Sequence, residues 1–529
     1  MPAFTEIVKV LVQHNLRLAW RRYRLASLAV KVLIYGGALL GVAIGVDLAM
    51  TSSGNTQDKI DYVIAGIMLY VAPIMVINCQ IGVLVLVLGE MMDEKESKMK
   101  LMQMINGVSV PAYFFAALCN TMIFGSLVSL GLTIVFSATS ARSSNPLLIF
   151  LALQFGMMQM FAVAVCIASF CEKAKDAGGF TAVISFLPVV PMLLGGFLED
   201  DNELMFFGLG FLPTFGLSNL LQSVVALESP ALSATHQIVP GRGWSWGETF
   251  FEGVQRITDG ELERGVSVPP AGSLFLLLPV QTLLWLVIAL RCEMRALGGE
   301  KLFHRSSTDS PEVSADTEIV LSISNMVKTF KRGKKETFNA VDGLSLDVSK
   351  GEIFALLGHN GAGKTTAVQC LMGSLRMTSG NATVAGFSVH NNITAVRQRL
   401  GFCPQDNPLY PDITVDEHMK LFAGLRGVEH GTNSIEVLQA LGIGDKRYAQ
   451  CKTLSGGQKR RLWVATSLLG LPPVIFMDEP TSGMDPQARR ELWDMMLDLK
   501  QKGHAIVFTT HYLEEADTLA DRKAVLNKG

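Results

Sequence analysis

Six apolar runs, each about long enough to cross a lipid bilayer as a helix, lie before residue 292. A spanning helix needs roughly 20 mostly apolar residues. The runs occupy about 25–50, 62–88, 112–137, 147–170, 180–198 and 273–290, which predicts an α-helical transmembrane bundle of about six spans. Composition makes sense only when read by halves. The 529 residues are 49% hydrophobic and 17% charged, with a mean hydropathy of +0.34, too apolar for an ordinary cytosolic enzyme. Charged residues gather after about 292, so a membrane half precedes a soluble half. A net charge of −2 supplies no global field for nucleic acid. None of the eight cysteines has zinc-site spacing, and they read as small buried hydrophobes.

Lys and Arg near the ends of the runs set the orientation. Arg17, Arg21, Arg22 and Arg24 precede the first run. Lys95, Lys98 and Lys100 follow the second, Lys173 and Lys175 the fourth, and Arg291 and Arg295 the sixth. The opposite loops are poor in them: 51–60 holds only Lys59 and 138–145 only Arg142, while 199–270 holds ten Asp or Glu against three Arg. A multi-pass protein with both termini and the soluble half in the cytosol is expected. Asn78, Gln80 and Asn120 lie inside runs and are expected to face other helices or a cavity.

Residues 90–106 alternate charges with methionines at helical spacing, which predicts a short amphipathic coupling helix on the cytosolic side. Trp244, Trp246, Phe250 and Phe251 suit the outer interfacial belt. Residues 1–20 lack a signal-peptide pattern and read as an amphipathic helix on the inner leaflet. The polar stretch 305–317 reads as a linker. The expected organisation is a transmembrane domain over 1–292, a linker over 293–317 and a nucleotide-binding domain over 318–529.

From about Glu318 short β-rich runs alternate with helical ones, predicting a parallel sheet flanked by helices. An apolar strand at 352–357 runs into Gly358, His359, Asn360, Gly361, Ala362, Gly363, Lys364, Thr365 and Thr366. This is the phosphate-loop pattern, GxxxxGK then Ser or Thr, in its strand–loop–helix context. Glycines let backbone N–H groups turn inward around phosphate oxygens. Lys364 is placed for the β- and γ-phosphates and the Thr365 hydroxyl for Mg²⁺, with the helix N-terminus aimed at the anion. The apolar strand 474–478 ends in Asp478, placed for the Mg²⁺ shell. Glu479, next to it, can polarise the attacking water as general base. Kinases, GTPases and motors share a phosphate loop. Leu454, Ser455, Gly456, Gly457 and Gln458, upstream of the acidic strand, separate this chain from them.

With these residues the segment from about Ile323 resembles an ABC-transporter nucleotide-binding domain, an α/β P-loop NTPase of ABC type. The resemblance implies ATP and Mg²⁺ as cofactors. Phe330 sits where that family stacks an aromatic on adenine, with Phe338 as the alternative. Gln405 matches the glutamine that touches Mg²⁺ and faces the coupling helix, which makes Thr365, Gln405 and Asp478 the implied metal set. Residues 454–458 match the signature loop that closes over ATP bound to the opposite subunit. Ser482, Gly483, Met484 and Asp485 match the loop linking the two sites, and His511 the histidine contacting the γ-phosphate.

The membrane half resembles the A subfamily or a close bacterial-type exporter, through 94–97, 211–215, 243–246 and the order of the two halves. It departs from that pattern in a first loop of about ten residues, where a large domain is usual, and in a single copy of each motif. The chain also stops where the family has a further C-terminal portion, so an incomplete C-terminal end is expected. The resemblance implies an ATP-hydrolysing transporter that pairs with a second half-transporter, as homo- or heterodimer. It would move lipids or other amphipathic substrates across or between the leaflets of its membrane. Export of drugs, peptides or glycans is one alternative, and a regulatory or channel-like subunit another. Glu479, His511 and Ser455 argue against the regulatory role, the spans exclude a soluble ATPase acting on ribosomes, and no nucleic-acid partner is expected.

Overall fold

The computed structural model describes residues 3–21, 57–139, 143–186, 215–228, 231–232, 238–239, 271–296, 318–332, 336–430 and 432–527. They divide into two compact units. One comprises Ala19–Glu96 and Phe114–Ala296, the other Met1–Leu18, Ser97–Tyr113 and Leu297–Gly529. The chain opens with α1 (Phe4–Arg21), followed by α2 (Gln57–Glu96), α3 (Met99–Ile105), α4 (Val110–Thr139), α5 (Pro146–Phe170), α6 (Ala174–Phe186), α7 (Phe215–Glu228) and α8 (Ala271–Ala296).

In the helical unit, three helices among the described residues are long and apolar enough to cross a membrane: Val110–Ala138, Pro146–Phe170 and Ala271–Arg295. They carry the third, fourth and sixth apolar runs. The second run lies inside α2, a 40-residue helix that contains Pro73. The fifth is divided between α6 and residues outside the described set. Also outside it lie the first run, the aromatic positions 244–251, the linker 305–317, and the side chain of Asn78.

Helix α5 occupies the middle of the unit, with 72% of its apolar window buried against 39% for α4 and 33% for α8. Its start is fixed by Asn145, whose side chain accepts from the Leu147 N–H ahead of Pro146 at the first helical position. At its end Lys95 donates to the carbonyls of Ala168 (2.8 Å) and Cys171 (2.7 Å), meeting orphan acceptors of the last turn. The neighbouring Glu96 carboxylate accepts from the Ala174 N–H at the start of α6. Gln80 and Asn120 are buried, at 0% and 6% exposure. Gln80 donates to the Leu153 carbonyl at 3.1 Å, and Gln159 to Gln281 at 3.1 Å, joining α5 to α2 and α8 through polar groups.

The α/β unit contains α1, which corrects the reading of residues 1–20 as lying on the inner leaflet. Ile7, Val8, Leu11 and Leu18 repeat at helical spacing and are buried. Val10 approaches Gly424 so closely that a β-carbon there would stand 3.1 Å from its Cγ2. The His14 ring lies edge-on to Tyr410 with centroids 4.4 Å apart. An amphipathic stripe fits lipid and protein equally well, and here protein covers it.

The chain breaks between α2 and α3 at Lys98, which has a left-handed φ of 59°. Within 90–106 only Met99–Ile105 forms a separate short helix, and Met99, Met102, Met104 and Ile105 are buried. Lys98 pairs with Asp406, and Gln103 donates to the Tyr410 hydroxyl. Asn106 accepts from Arg426 Nε at 2.8 Å.

Two sheets form the remainder together with helices that include α9 (Lys364–Leu371), α10 (Ile393–Gln398), α11 (Val415–Arg426), α12 (Thr432–Ala440), α13 (Gly456–Ser467) and α14 (Pro486–Gln501). An antiparallel sheet has the order β2-β1-β4-β5, with β1 at Ile319–Arg332, β2 at Glu336–Ser349, β4 at Ser379–Val384 and β5 at Phe387–Ser388. A parallel sheet has the order β9-β3-β8-β7-β6, with β3 at Ile353–Leu357, β6 at Leu400–Cys403, β7 at Val474–Asp478, β8 at Ala505–Thr510 and β9 at Arg522–Val525. Every residue of β3, β6, β7 and β8 is buried, as expected when helices cover both faces of a parallel sheet.

Candidate functional site

The site lies where the parallel strands end, the usual place for a ligand in an open α/β sheet. Strand β3 delivers the loop 358–363 into α9 (Lys364–Leu371). At Gly363 the backbone has φ of +103°, and a β-carbon there would stand 2.0 Å from the Ala340 carbonyl oxygen. Only glycine meets both conditions. Lys364 is 5% exposed. Its ammonium donates to the carbonyls of Gly358 (2.6 Å) and His359 (3.3 Å) and stands 3.8 Å from Glu479 Oε1.

Strands β7 and β8 run parallel in a register that sets Thr509 opposite Asp478. The Thr509 hydroxyl donates to Asp478 Oδ1 at 2.6 Å and accepts from the Glu479 N–H at 2.9 Å. The Thr365 hydroxyl lies 3.4 Å from the same Asp478 oxygen. Burial pushes the Asp478 carboxyl up, the Thr509 and Thr365 hydroxyls hold it down, and Glu479 adds to the rise. Neighbouring ligands in a Mg²⁺ octahedron lie about 3 Å apart, so Thr365 and Asp478 are spaced to share one magnesium shell. Among the described residues no group of three His, Cys, Asp or Glu could hold a metal.

Glu479 has a left-handed φ of +43°, uncommon for a residue with a side chain. Three side chains converge on its carboxylate. Gln405 Nε2 donates to Oε2 at 3.0 Å, His511 Nδ1 stands 3.5 Å from Oε1, and Lys364 approaches the same oxygen. The structure thus brings together Lys364, Thr365, Gln405, Asp478, Glu479 and His511. Phe330 and Phe338, the two adenine candidates, stack on each other with centroids 5.8 Å apart, and the Lys328 ammonium lies 5.1 Å from the Phe330 ring.

Residues 454–458 bond to one another rather than to the phosphate loop. Ser455 caps α13 (Gly456–Ser467) by accepting from the Gln458 N–H, and Gln458 accepts from the Ser455 N–H. This pairing leaves Ser455 and Gly456 on the surface. Asp485 caps α14 (Pro486–Gln501), and the N–H groups of Ala488 and Gln487 hold its carboxyl below the usual range.

Two residues that sequence reasoning missed help to build the site. Thr509 is visible only through strand register. Arg460, in the run 459–461, looks like a surface cation, yet it is 3% exposed.

The family described as "ABC transporter" matches residues 341–482, and that described as "ABC-2 family transporter protein" matches 38–291. "ABC transporter A family member 2" of Dictyostelium discoideum is 28% identical over 464 residues, covering 83% of this chain and 27% of that protein. "Retinal-specific phospholipid-transporting ATPase ABCA4" of Homo sapiens is 46% identical over 193 residues, covering 36% of this chain and 8% of that protein. The chain thus spans only about a quarter of the length of such relatives, or less. A solved "Structure of ATP binding subunit of ABC transporter" is 26% identical and covers 40% of this chain and 87% of its own, with a TM-score of 0.36. The chain therefore carries an ABC-2 transporter membrane domain followed by an ABC ATPase domain, and its relatives are A-subfamily ABC transporters.

Proposed function

We propose that this chain hydrolyses MgATP at the site around Glu479 and uses it to move lipids or other amphipathic molecules. The observation that carries the reading is the convergence of Gln405, His511 and Lys364 on the Glu479 carboxylate. When bound, magnesium neutralises phosphate charge and polarises the bond that breaks. Lys364 and the N–H groups of 358–366 hold the β- and γ-phosphates, and Thr365, Gln405 and Asp478 would hold the metal. Glu479 takes the proton of the attacking water, Gln405 orients that water, and His511 faces the γ-phosphate. Phe330 offers its ring to the adenine.

The exposed Ser455 and Gly456 suit a loop that acts on ATP held by a second half-transporter, so a dimer of cassettes is the working unit. Residues 99–105 serve as the coupling helix, and about six spans with cytosolic termini complete the membrane domain. The lipid assignment is supported by the phospholipid-transporting relative. It is tested by reconstituting the purified protein in liposomes with labelled phospholipids. ATP-dependent flipping supports it. Flipping absent while labelled drugs, peptides or glycans move would transfer the assignment to those substrates.

A further inference from the structure

We propose that Arg460 is a positioning residue for ATP hydrolysis, which from inside the signature helix sets the separation of Gln405 and Glu479. The proposal rests on the reading of Glu479 as general base. Arg460 Nε donates to the Pro480 carbonyl at 2.8 Å and one terminal nitrogen to the Asp478 carbonyl at 2.9 Å. These are the carbonyls of the two residues on either side of Glu479, the residue with the left-handed backbone. The other terminal nitrogen donates to the carbonyls of Pro404 and Gln405. One guanidinium therefore grips both main-chain segments whose side chains meet at 3.0 Å between Gln405 and Glu479.

Chemistry singles out arginine for this place. A guanidinium has five N–H donors in a fixed plane and stays charged, and four carbonyl acceptors are satisfied from that one plane. Lysine has three donors on a single atom and cannot satisfy four carbonyls spread over two segments. The charge is buried and, among the described residues, meets only main-chain carbonyls at hydrogen-bonding distance, so its geometry is set by those carbonyls. A residue held in a sparsely populated backbone region persists only when its surroundings over-determine it. Around Glu479 the surroundings are Arg460 on both flanks and Thr509 at its N–H. Arg460 lies five residues beyond Ser455 on one rigid helix, so a displacement of the signature loop reaches Gln405 and Glu479 through this side chain.

The test uses the purified full chain in its membrane environment, with Arg460→Lys and Arg460→Gln. For both, kcat should fall by about tenfold to a hundredfold, the scale of a misplaced catalytic group, while the ATP dissociation constant stays within about threefold. Lysine should not rescue, because charge without the planar fork does not hold two segments. In a double-mutant cycle, Gln405→Ala should cost less than about twofold more on the Arg460→Lys background, although it is costly alone. Arg460→Lys with near wild-type kcat, beside an inactive Glu479→Gln, would overturn the proposal and leave the base assignment standing. Loss of cooperative unfolding, or kcat and ATP affinity falling together, would make Arg460 merely structural and also overturn it. An active Glu479→Gln would instead overturn the base assignment itself.

Discussion

Asn106 accepts a hydrogen bond from Arg426 at 2.8 Å, and Arg426 in turn donates to the carbonyls of Leu469 and Leu400. The residue that ends α3 is thereby tied to the start of β6, the strand that leads to Gln405. Asn106→Leu should leave basal ATPase in place and reduce its stimulation by substrate by roughly fivefold, the lower end of ordinary coupling energies. Charge reversal at Asp93, Glu94 and Glu96 should act in the same direction. Normal stimulation in both variants would leave residues 90–106 without a coupling role.

Thr509 bridges Asp478 and the Glu479 backbone through one hydroxyl. Thr509→Val keeps the shape and leaves a buried donor and acceptor without their partner, at a cost of about 1–3 kcal/mol. If that cost falls on the transition state, kcat drops roughly 5- to 100-fold with ATP still bound. Steady-state kinetics with an unchanged kcat would make the hydroxyl a bystander.

The phosphate loop, Asp478 and Glu479 were legible because their spacing to glycines and apolar strands leaves few other readings, and Gln405 and His511 only through the resemblance to ABC nucleotide-binding domains. Arg460 and Thr509 were not, because what makes them matter is which carbonyls or strand partners lie opposite them. Residues 1–20 show a third kind of loss. The stripe of Ile7, Leu11 and Leu18 announces an apolar contact but not whether lipid or protein supplies it, and the answer came from Gly424 and Tyr410. In the helical unit Gln80 and Asn120 announced an interior position by their cost in hydrocarbon, without naming the helix they face.

His418 is fully buried, and neither ring nitrogen has a hydrogen-bond partner among the described residues. Burial, with His14 adding to it, pushes its pKa down from 6.5 to about 3. The folded state resists the proton that the unfolded state accepts. Stability is therefore intact above about pH 6.5 and falls by about 1.4 kcal/mol per unit as pH drops toward 3. His418→Phe should lose less of its thermal midpoint than wild type between pH 7.5 and 5. Equal losses would show that other groups set the acid sensitivity.

If the chain forms homodimers, Lys364→Ala and Ser455→Arg should each be inactive alone, since both composite sites are damaged in either. In a mixed dimer both lesions fall on one site and the other is whole. Purification through two different tags should recover part of the wild-type ATPase rate. A stable doubly tagged dimer without recovered activity would contradict the trans arrangement of Ser455, and failure of any dimer to form would point to a different partner chain.

The most direct measurement compares ATP binding and turnover in wild type and Glu479→Gln. The substitution removes the proton acceptor and keeps Lys364, Thr365 and Asp478, so nucleotide should bind with near wild-type affinity while turnover falls by about 10²–10⁴-fold, the usual contribution of a general base. A Glu479→Gln protein that keeps more than about half the wild-type rate would contradict the assignment of Glu479 as the general base.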